Sequence, residues 1–257
     1  MSELLGYAAQ SIAGCVREHN EDALLCAPEL GLWAVADGMG GHQRGEVASA
    51  VAVAALRDAV AACEGLEASV QAAHRAVLAA ASGSGMGTTL VAVKFDGAAF
   101  GLVWAGDSRA YRVGLDGITR LSHDHSLVQA LVDAGELSPQ EARHHPRRNV
   151  VTQCLGQEQQ TLDVGWLDGR LEPGELLLLC SDGLTGELED AEILAQCASA
   201  DTLEELVAHL LGLACEAGGR DNISCIVIGL APPETTAVSR RSKSILSRLL
   251  KPRRPNP

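Results

Sequence analysis

The sequence predicts an α+β protein, a central antiparallel β-sandwich with helix pairs packed outside both sheets (α-β-β-α). Three observations point there. Strand-like apolar runs come in pairs joined at Asp-Gly, the strongest short hairpin signal. Helix-like runs also come in pairs, at 45–62 with 66–81 and at 189–197 with 202–216. No repeat of fixed period interrupts this alternation.

In chain order, GLWAVADG (31–38) reads as a short apolar strand ending in Asp-Gly. Residues 45–62 are Ala-rich and helical, and Gly65 separates them from the second helix, 66–81. TTLVAVKF (88–95) and AAFGLVWAG (98–106) are strands joined at Asp96-Gly97. SRAYRVG (108–114) and ITRLS (118–122) form a second hairpin at Asp116-Gly117. A helical pattern returns at 125–134. After a turn-rich stretch, GELLLLCSDG (174–183) is a buried strand ending again in Asp-Gly, and NISCIVIGL (222–230) is the last strand.

The 257 residues make one large domain or two small ones, and a 47% hydrophobic content suffices for a sizeable core. Twenty basic against 33 acidic residues leave a net charge of −13. That balance disfavours nucleic acid as a partner and favours divalent cations, whose hard ligands are carboxylate oxygens. Aromatics are scarce, so Ala, Val and Leu must fill the interior. The eight cysteines form no CxxC pair, and most sit in apolar runs such as LLLLC at Cys180. They read as small buried thiols of a reducing cytoplasm. The N-terminus lacks a basic signal-peptide region, and the uncharged run 76–93 is broken by SGSGMGTT, so no transmembrane span is expected.

Pro232 and Pro233 mark a sharp change in composition. Residues 235–257 hold seven basic residues and no acid, while 1–234 hold 13 basic and 33 acidic. The chain therefore divides into a body, 1–231, and a basic tail, 232–257. The tail reads as a disordered solubilising end. Alternatively, Ile245, Leu246, Leu249 and Leu250 share one helical face flanked by bases, which suits an anionic membrane or an acidic partner.

Four carboxylates share one setting, a strand end or tight turn: Asp37 in VADGMGG, Asp107 in WAGDSRA, Asp182 in LCSDGL and Asp221 in GGRDNIS. Glu21 and Asp22 in REHNED add a fifth group. Strand-end acids from distant sequence can converge at one sheet edge, and glycine beside them frees the backbone to turn. At Gly38 a carbonyl could serve as a further ligand. So many converging carboxylates cannot all stay ionised and unpaired, and a divalent-cation cluster resolves that conflict.

Any one Asp-Gly is an ordinary turn. The ordered set is more specific: RxxxED (17–22), DGxGG (37–41), GTT (87–89), GDSR (106–109), DHS (124–126), SDGL (181–184) and RDNIS (220–224). From Arg17 to Ile228 it resembles the metal-dependent, type 2C serine/threonine protein phosphatases, in their compact bacterial branch. The resemblance implies two Mn²⁺ or Mg²⁺ ions and a weaker third. Asp37 would bridge two ions, the Gly38 carbonyl would bind one, and Asp182 and Asp221 the other. Asp107 with Asp182 would hold the third. Glu21 and Asp22 would act near the second ion, partly through water. Asn222 would brace Asp221 and Asp124 would stand behind the ligands. Arg17 alone reads as a surface partner of Glu18 or Glu21; in this setting it matches the phosphate ligand. The implied chemistry is direct hydrolysis of phosphoserine and phosphothreonine on proteins by a hydroxide bridging the ions.

Met39 replaces a histidine that animal members carry as presumed general acid, a change common among bacterial members, and His42 becomes one candidate for that proton. Asp-His-Ser at 124–126 has no nucleophile elbow around it and reads as structural. Residues 136–160 match the family's flap beside the cleft. There His144, His145, Arg147 and Arg148 form a basic cluster that either attracts acidic substrate or is a solvated helix end. The GTT segment reads as packing under the metal site. The implied partners are phosphoproteins, including a cognate Ser/Thr kinase and forkhead-associated-domain proteins, met by a monomer. A catalytically weak phosphoprotein-binding module and a dedicated stress-signalling phosphatase are the alternatives.

Overall fold

The computed structural model describes residues 5–40, 44–81, 85–157 and 161–230. The basic tail and His42 lie outside the described residues. Eleven strands form two antiparallel sheets. In chain order they are β1 (Leu5–Ile12), β2 (Asp22–Ala27), β3 (Leu32–Met39), β4 (Gly87–Thr88), β5 (Leu90–Asp96), β6 (Ala99–Ala105), β7 (Arg109–Gly114), β8 (Gly117–Arg120), β9 (Gly165–Arg170), β10 (Leu176–Cys180) and β11 (Ile223–Leu230). The helices are α1 (Arg44–Ala61), α2 (Leu66–Ala81), α3 (Leu127–Asp133), α4 (Pro139–His144), α5 (Asp182–Thr185), α6 (Asp190–Ser199) and α7 (Leu203–Ala217).

One sheet has the order β1-β11-β10-β7-β8; the other runs β2-β3-β5-β6-β9, with β4 paired to β3. Strand alternation explains the long apolar runs. In β10, Leu177 and Leu179 face the second sheet, alongside Trp33, Val91, Val93, Leu102, Ile226 and Ile228. Leu176, Leu178 and Cys180 face the other way, onto Ile193, Leu206, Leu210 and Ala214 of α6 and α7. The second sheet repeats the plan: Leu32, Ala34, Ala36 and Ala92 lie under Ala48, Ala52, Leu56 and Val70 of α1 and α2. Both faces of each sheet are covered, which establishes the expected α-β-β-α architecture. Both hairpins form where Asp-Gly placed them, with Gly97 at φ +61° and Gly117 at φ +113°.

The thiols are less uniform than expected. Cys180, Cys197 and Cys225 are buried, Cys26, Cys154 and Cys215 are partly buried, and Cys15 and Cys63 are exposed. The glycines beside the acids also differ from expectation. Only Gly106 among Gly38, Gly106 and Gly183 has a positive φ, +112°. At Gly38 a Cβ would stand 2.1 Å from the Gly45 carbonyl oxygen at the start of α1. Close approach, rather than a turn, requires glycine there.

Candidate metal centre

The acids do converge at one edge of the sandwich. Asp37 lies two residues before the end of β3 and pairs in register with Asp22, which opens β2. Asp107 follows β6, Asp221 precedes β11, and Asp182 opens the single turn α5 after β10 instead of ending the strand. Arg17, Glu21, Asp37, Gly38, Met39, Asp107, Asp182 and Asp221 line a cleft of about 270 Å³.

The GTT segment supports Asp37 through its backbone. Thr89 N–H and Thr88 Oγ1 each donate to the Asp37 carbonyl at 2.9 Å, and the Asp37 N–H donates to Thr89 Oγ1 at 3.1 Å. Thr89 Oγ1 also lies 2.7 Å from Ser108 Oγ, tying this support to the GDSR turn.

Burial raises the Asp37 carboxyl well above the usual range, and Asp22, Asp182, Asp107 and Asp221 add to the rise. Asp107 is raised by burial and then by Asp182. Asp182 is raised by burial and then by Asp221. So many neighbouring carboxyl groups cannot all stay ionised without compensation, so the cluster asks for positive charge. Arg17 supplies part of it: Nη2 donates to Asp221 Oδ2 at 2.7 Å, rather than to Glu18 or Glu21.

Glu21 and Asp22, expected as a pair, separate. Glu21 lines the cleft. The Asp22 carboxylate turns inward, where Oδ2 accepts from Ser181 Oγ at 2.8 Å and Ser224 Oγ at 2.6 Å. Its Oδ1 is buried without a partner, and burial pushes its pKa up to about 7. Asn222 braces Asp221 through its backbone, whose N–H donates to Asp221 Oδ1 at 2.9 Å. Its side chain instead secures the loop carrying Arg17. Nδ2 donates to the carbonyls of Ala13 (3.1 Å) and His19 (2.8 Å), and Oδ1 accepts from the Glu21 N–H (2.8 Å).

Asp124 stands behind a second cavity of about 390 Å³ that shares Asp107, Asn149 and Asp182 with the cleft. Arg109 grips it, with Nε at 3.0 Å and Nη2 at 2.6 Å. Ser126 caps α3, accepting from the Gln129 N–H at 3.2 Å. Of the flap cluster, only Arg148 lines this cavity, joined by Arg143; neither cavity is lined by His144, His145 or Arg147. His145 Nδ1 accepts from the Arg147 N–H at 3.1 Å, a local helix-end contact. Three residues escaped the sequence reading. Arg109 sits inside the GDSR motif, two positions after a buried acid, and that was a usable signal. Asn149 and Arg143 belong to the flap and carry none.

Among the described residues, no three acidic, histidine or cysteine side chains form a closed ion cage. The donors nevertheless fit a hard divalent ion. All are oxygens, they are buried against like charge, and one buried carboxylate oxygen has no partner. Two helix-backed sheets opening on such a cleft define a metal-dependent phosphatase architecture. A sequence profile described as Protein phosphatase 2C matches residues 16–214. The chain belongs to the protein phosphatase 2C family. It is 38% identical over 237 residues to the serine/threonine protein phosphatase PstP of Mycobacterium tuberculosis, covering 87% of this chain and 45% of that protein. This chain thus spans less than half of that relative's length. It is 35% identical to the serine/threonine phosphatase stp of Listeria innocua, covering 84% of this chain and 92% of the other. The crystal structure of the PstP catalytic domain in complex with two manganese ions superposes with a TM-score of 0.77 at 35% identity, covering 89% of this chain and 99% of that one.

Proposed function

We propose that this chain hydrolyses phosphoserine and phosphothreonine on proteins, with two Mn²⁺ or Mg²⁺ ions and a weaker third at its carboxylate edge. The observation that carries this reading is Asp37, whose carboxyl is raised by burial and then by the charges of Asp22, Asp182, Asp107 and Asp221. Burying such a group without a cation is costly. Asp37 would bridge two ions, with the Gly38 carbonyl on one and Asp182 and Asp221 on the other. Asp107 with Asp182 would hold the third, and Glu21 would act through water. When bound, the ions supply an activated water and neutralise charge on the phosphoryl oxygens.

The chain's own contribution centres on Arg17. Its guanidinium has five N–H donors, and the Asp221 contact engages one of them. The others remain for phosphoryl oxygens, and Asn222 keeps the loop in place. Asp22 holds Ser181 and Ser224 beneath the ligands and so orients Asp182. Arg143 and Arg148, on the far side of Asn149, would meet acidic residues of the protein substrate.

The family resemblance extends the proposal to a cognate Ser/Thr kinase and forkhead-associated-domain proteins as substrates. It also favours a monomeric catalytic domain at 1–231 acting in the cytoplasm. Among the described residues no helix is long and apolar enough to cross a membrane. The test is phosphate release from a phosphothreonine peptide with Mn²⁺ and then with EDTA. Release should require Mn²⁺ and stop in EDTA; full turnover after thorough chelation would overturn the reading.

A further inference from the structure

The loop that carries Arg17 holds an exposed thiol against a second one. Cys15 is exposed, and its Sγ lies 3.8 Å from the Cys215 carbonyl in the last turn of α7. Burial and the neighbouring Cys15 thiol together raise the Cys215 thiol above its ordinary pKa. The backbone is already joined there: the Cys15 N–H donates to the Gly219 carbonyl at 2.7 Å. A Cβ on Gly219 would stand 2.8 Å from Cys15 Sγ, so the thiol rests directly on the helix end. Two residues further on, Arg17 reaches Asp221 at 2.7 Å.

We propose that Cys15 and Cys215 are a peroxide-sensitive modification site, whose disulfide staples the Arg17 loop to the end of α7. The step balances with hydrogen peroxide as oxidant. The exposed Cys15 thiolate attacks one peroxide oxygen, giving a sulfenic acid and hydroxide. The Cys215 sulfur then attacks the Cys15 sulfur and expels the second oxygen as hydroxide. The two thiol protons complete two waters. The order follows from exposure and from Cys215, whose thiol burial and the neighbouring Cys15 hold above its ordinary pKa. A disulfide of this kind in a cytoplasmic protein is transient and serves sensing.

The bond would hold the two sulfurs at about 2.05 Å, drawing Cys15 towards α7. Ala13 and His19 stay fixed on Asn222, so the strain falls on the residues between them, which include Arg17. Arg17 then loses the freedom to turn its remaining N–H donors towards an incoming phosphoryl group. The covalent half of the proposal stands without the phosphatase reading; the kinetic half rests on it.

The test treats the full chain with hydrogen peroxide, maps disulfides by mass spectrometry, and measures Mn²⁺-dependent turnover before and after dithiothreitol. The expected result is a loss of 2 Da, a linked Cys15–Cys215 peptide, and a fall of about tenfold in kcat/KM that dithiothreitol reverses. Cys215→Ser should give no linked peptide and keep its turnover under peroxide. Absence of the linked peptide in the wild type overturns the site itself, whatever the activity. A linked protein that turns over as fast as the reduced one, or an equal peroxide loss in Cys215→Ser, overturns its control of Arg17.

Discussion

Asp37, half-buried, and Asp124, buried, are carboxylates lining adjoining cavities, and the protein treats them in opposite ways. Asp124, 6% exposed at its side chain, is held by a forked contact from Arg109, with Arg120 at 3.5 Å. Asp37 faces other acids. The first site carries its own counter-charge and is complete as folded. On the proposed function, the second is completed by bound cations. The difference separates a carboxylate whose charge the fold meets from one placed among like charges, although both line cavities at the same edge.

Neutralising Asp37 breaks the comparison most severely. Asp37→Asn should lower Mn²⁺-dependent turnover by on the order of 10³-fold, as the loss of a central transition-state electrostatic contact does. In EDTA the same variant should melt higher than the wild type, because it removes a buried like charge. Phosphate release and thermal melting of the two proteins check both halves. A variant that loses activity and also melts lower in EDTA would show that Asp37 is satisfied within the fold, as Asp124 is.

Arg109→Met attacks the other side. It leaves Asp124 buried with only the longer Arg120 contact, at a cost of about 3 kcal/mol. The melting temperature should fall by roughly 6–12 °C. The double variant Arg109→Met, Asp124→Leu should recover most of that loss, because a buried ion pair contributes little beyond an apolar pair of similar volume. Failure of the double variant to recover would mean that Arg109 acts on the metal-site acids as well.

The two sites were unequally legible in the sequence, for a physical reason. The clustered acids stand near strand ends or tight turns, most of them beside a glycine, and a motif several residues long marks each one. The Arg109–Asp124 pair joins positions 15 residues apart, across a hairpin, and although the GDSR motif marks Arg109, its partner could not be read until β7 and the DHS segment were brought together. Strands divide in a similar way. Those covered on both faces, such as β5, β10 and β11, announce themselves as unbroken apolar runs. The three that the sequence reading left unassigned, β1, β2 and β9, are all sheet edges. Their half-exposed faces admit Gly, Ser and Asp, as in LGYAAQSI and GWLDGR, and dilute the pattern. The opposite directions taken by Glu21 and Asp22 follow from the alternation of β2, and could not be read before β2 was recognised as a strand.

The smallest expected effect concerns Asp22, which lies between the two extremes: two serine hydroxyls serve one oxygen and nothing serves the other. Its folded pKa is raised to about 7, chiefly by burial, against about 3.9 in the unfolded chain. The folded state therefore binds the extra proton through this window. The resulting stabilisation is full below about pH 4 and is lost as pH rises through 7. Asp22→Asn keeps the acceptor for both serines and removes the titration. In EDTA, the variant's melting temperature relative to the wild type should accordingly climb by a few degrees between pH 5 and pH 8. Excess Mn²⁺ should flatten that climb, because added positive charge stabilises the ionised acids of the whole edge. A difference independent of pH in EDTA would place Asp22 with Asp124, as a carboxylate whose charge the fold already meets.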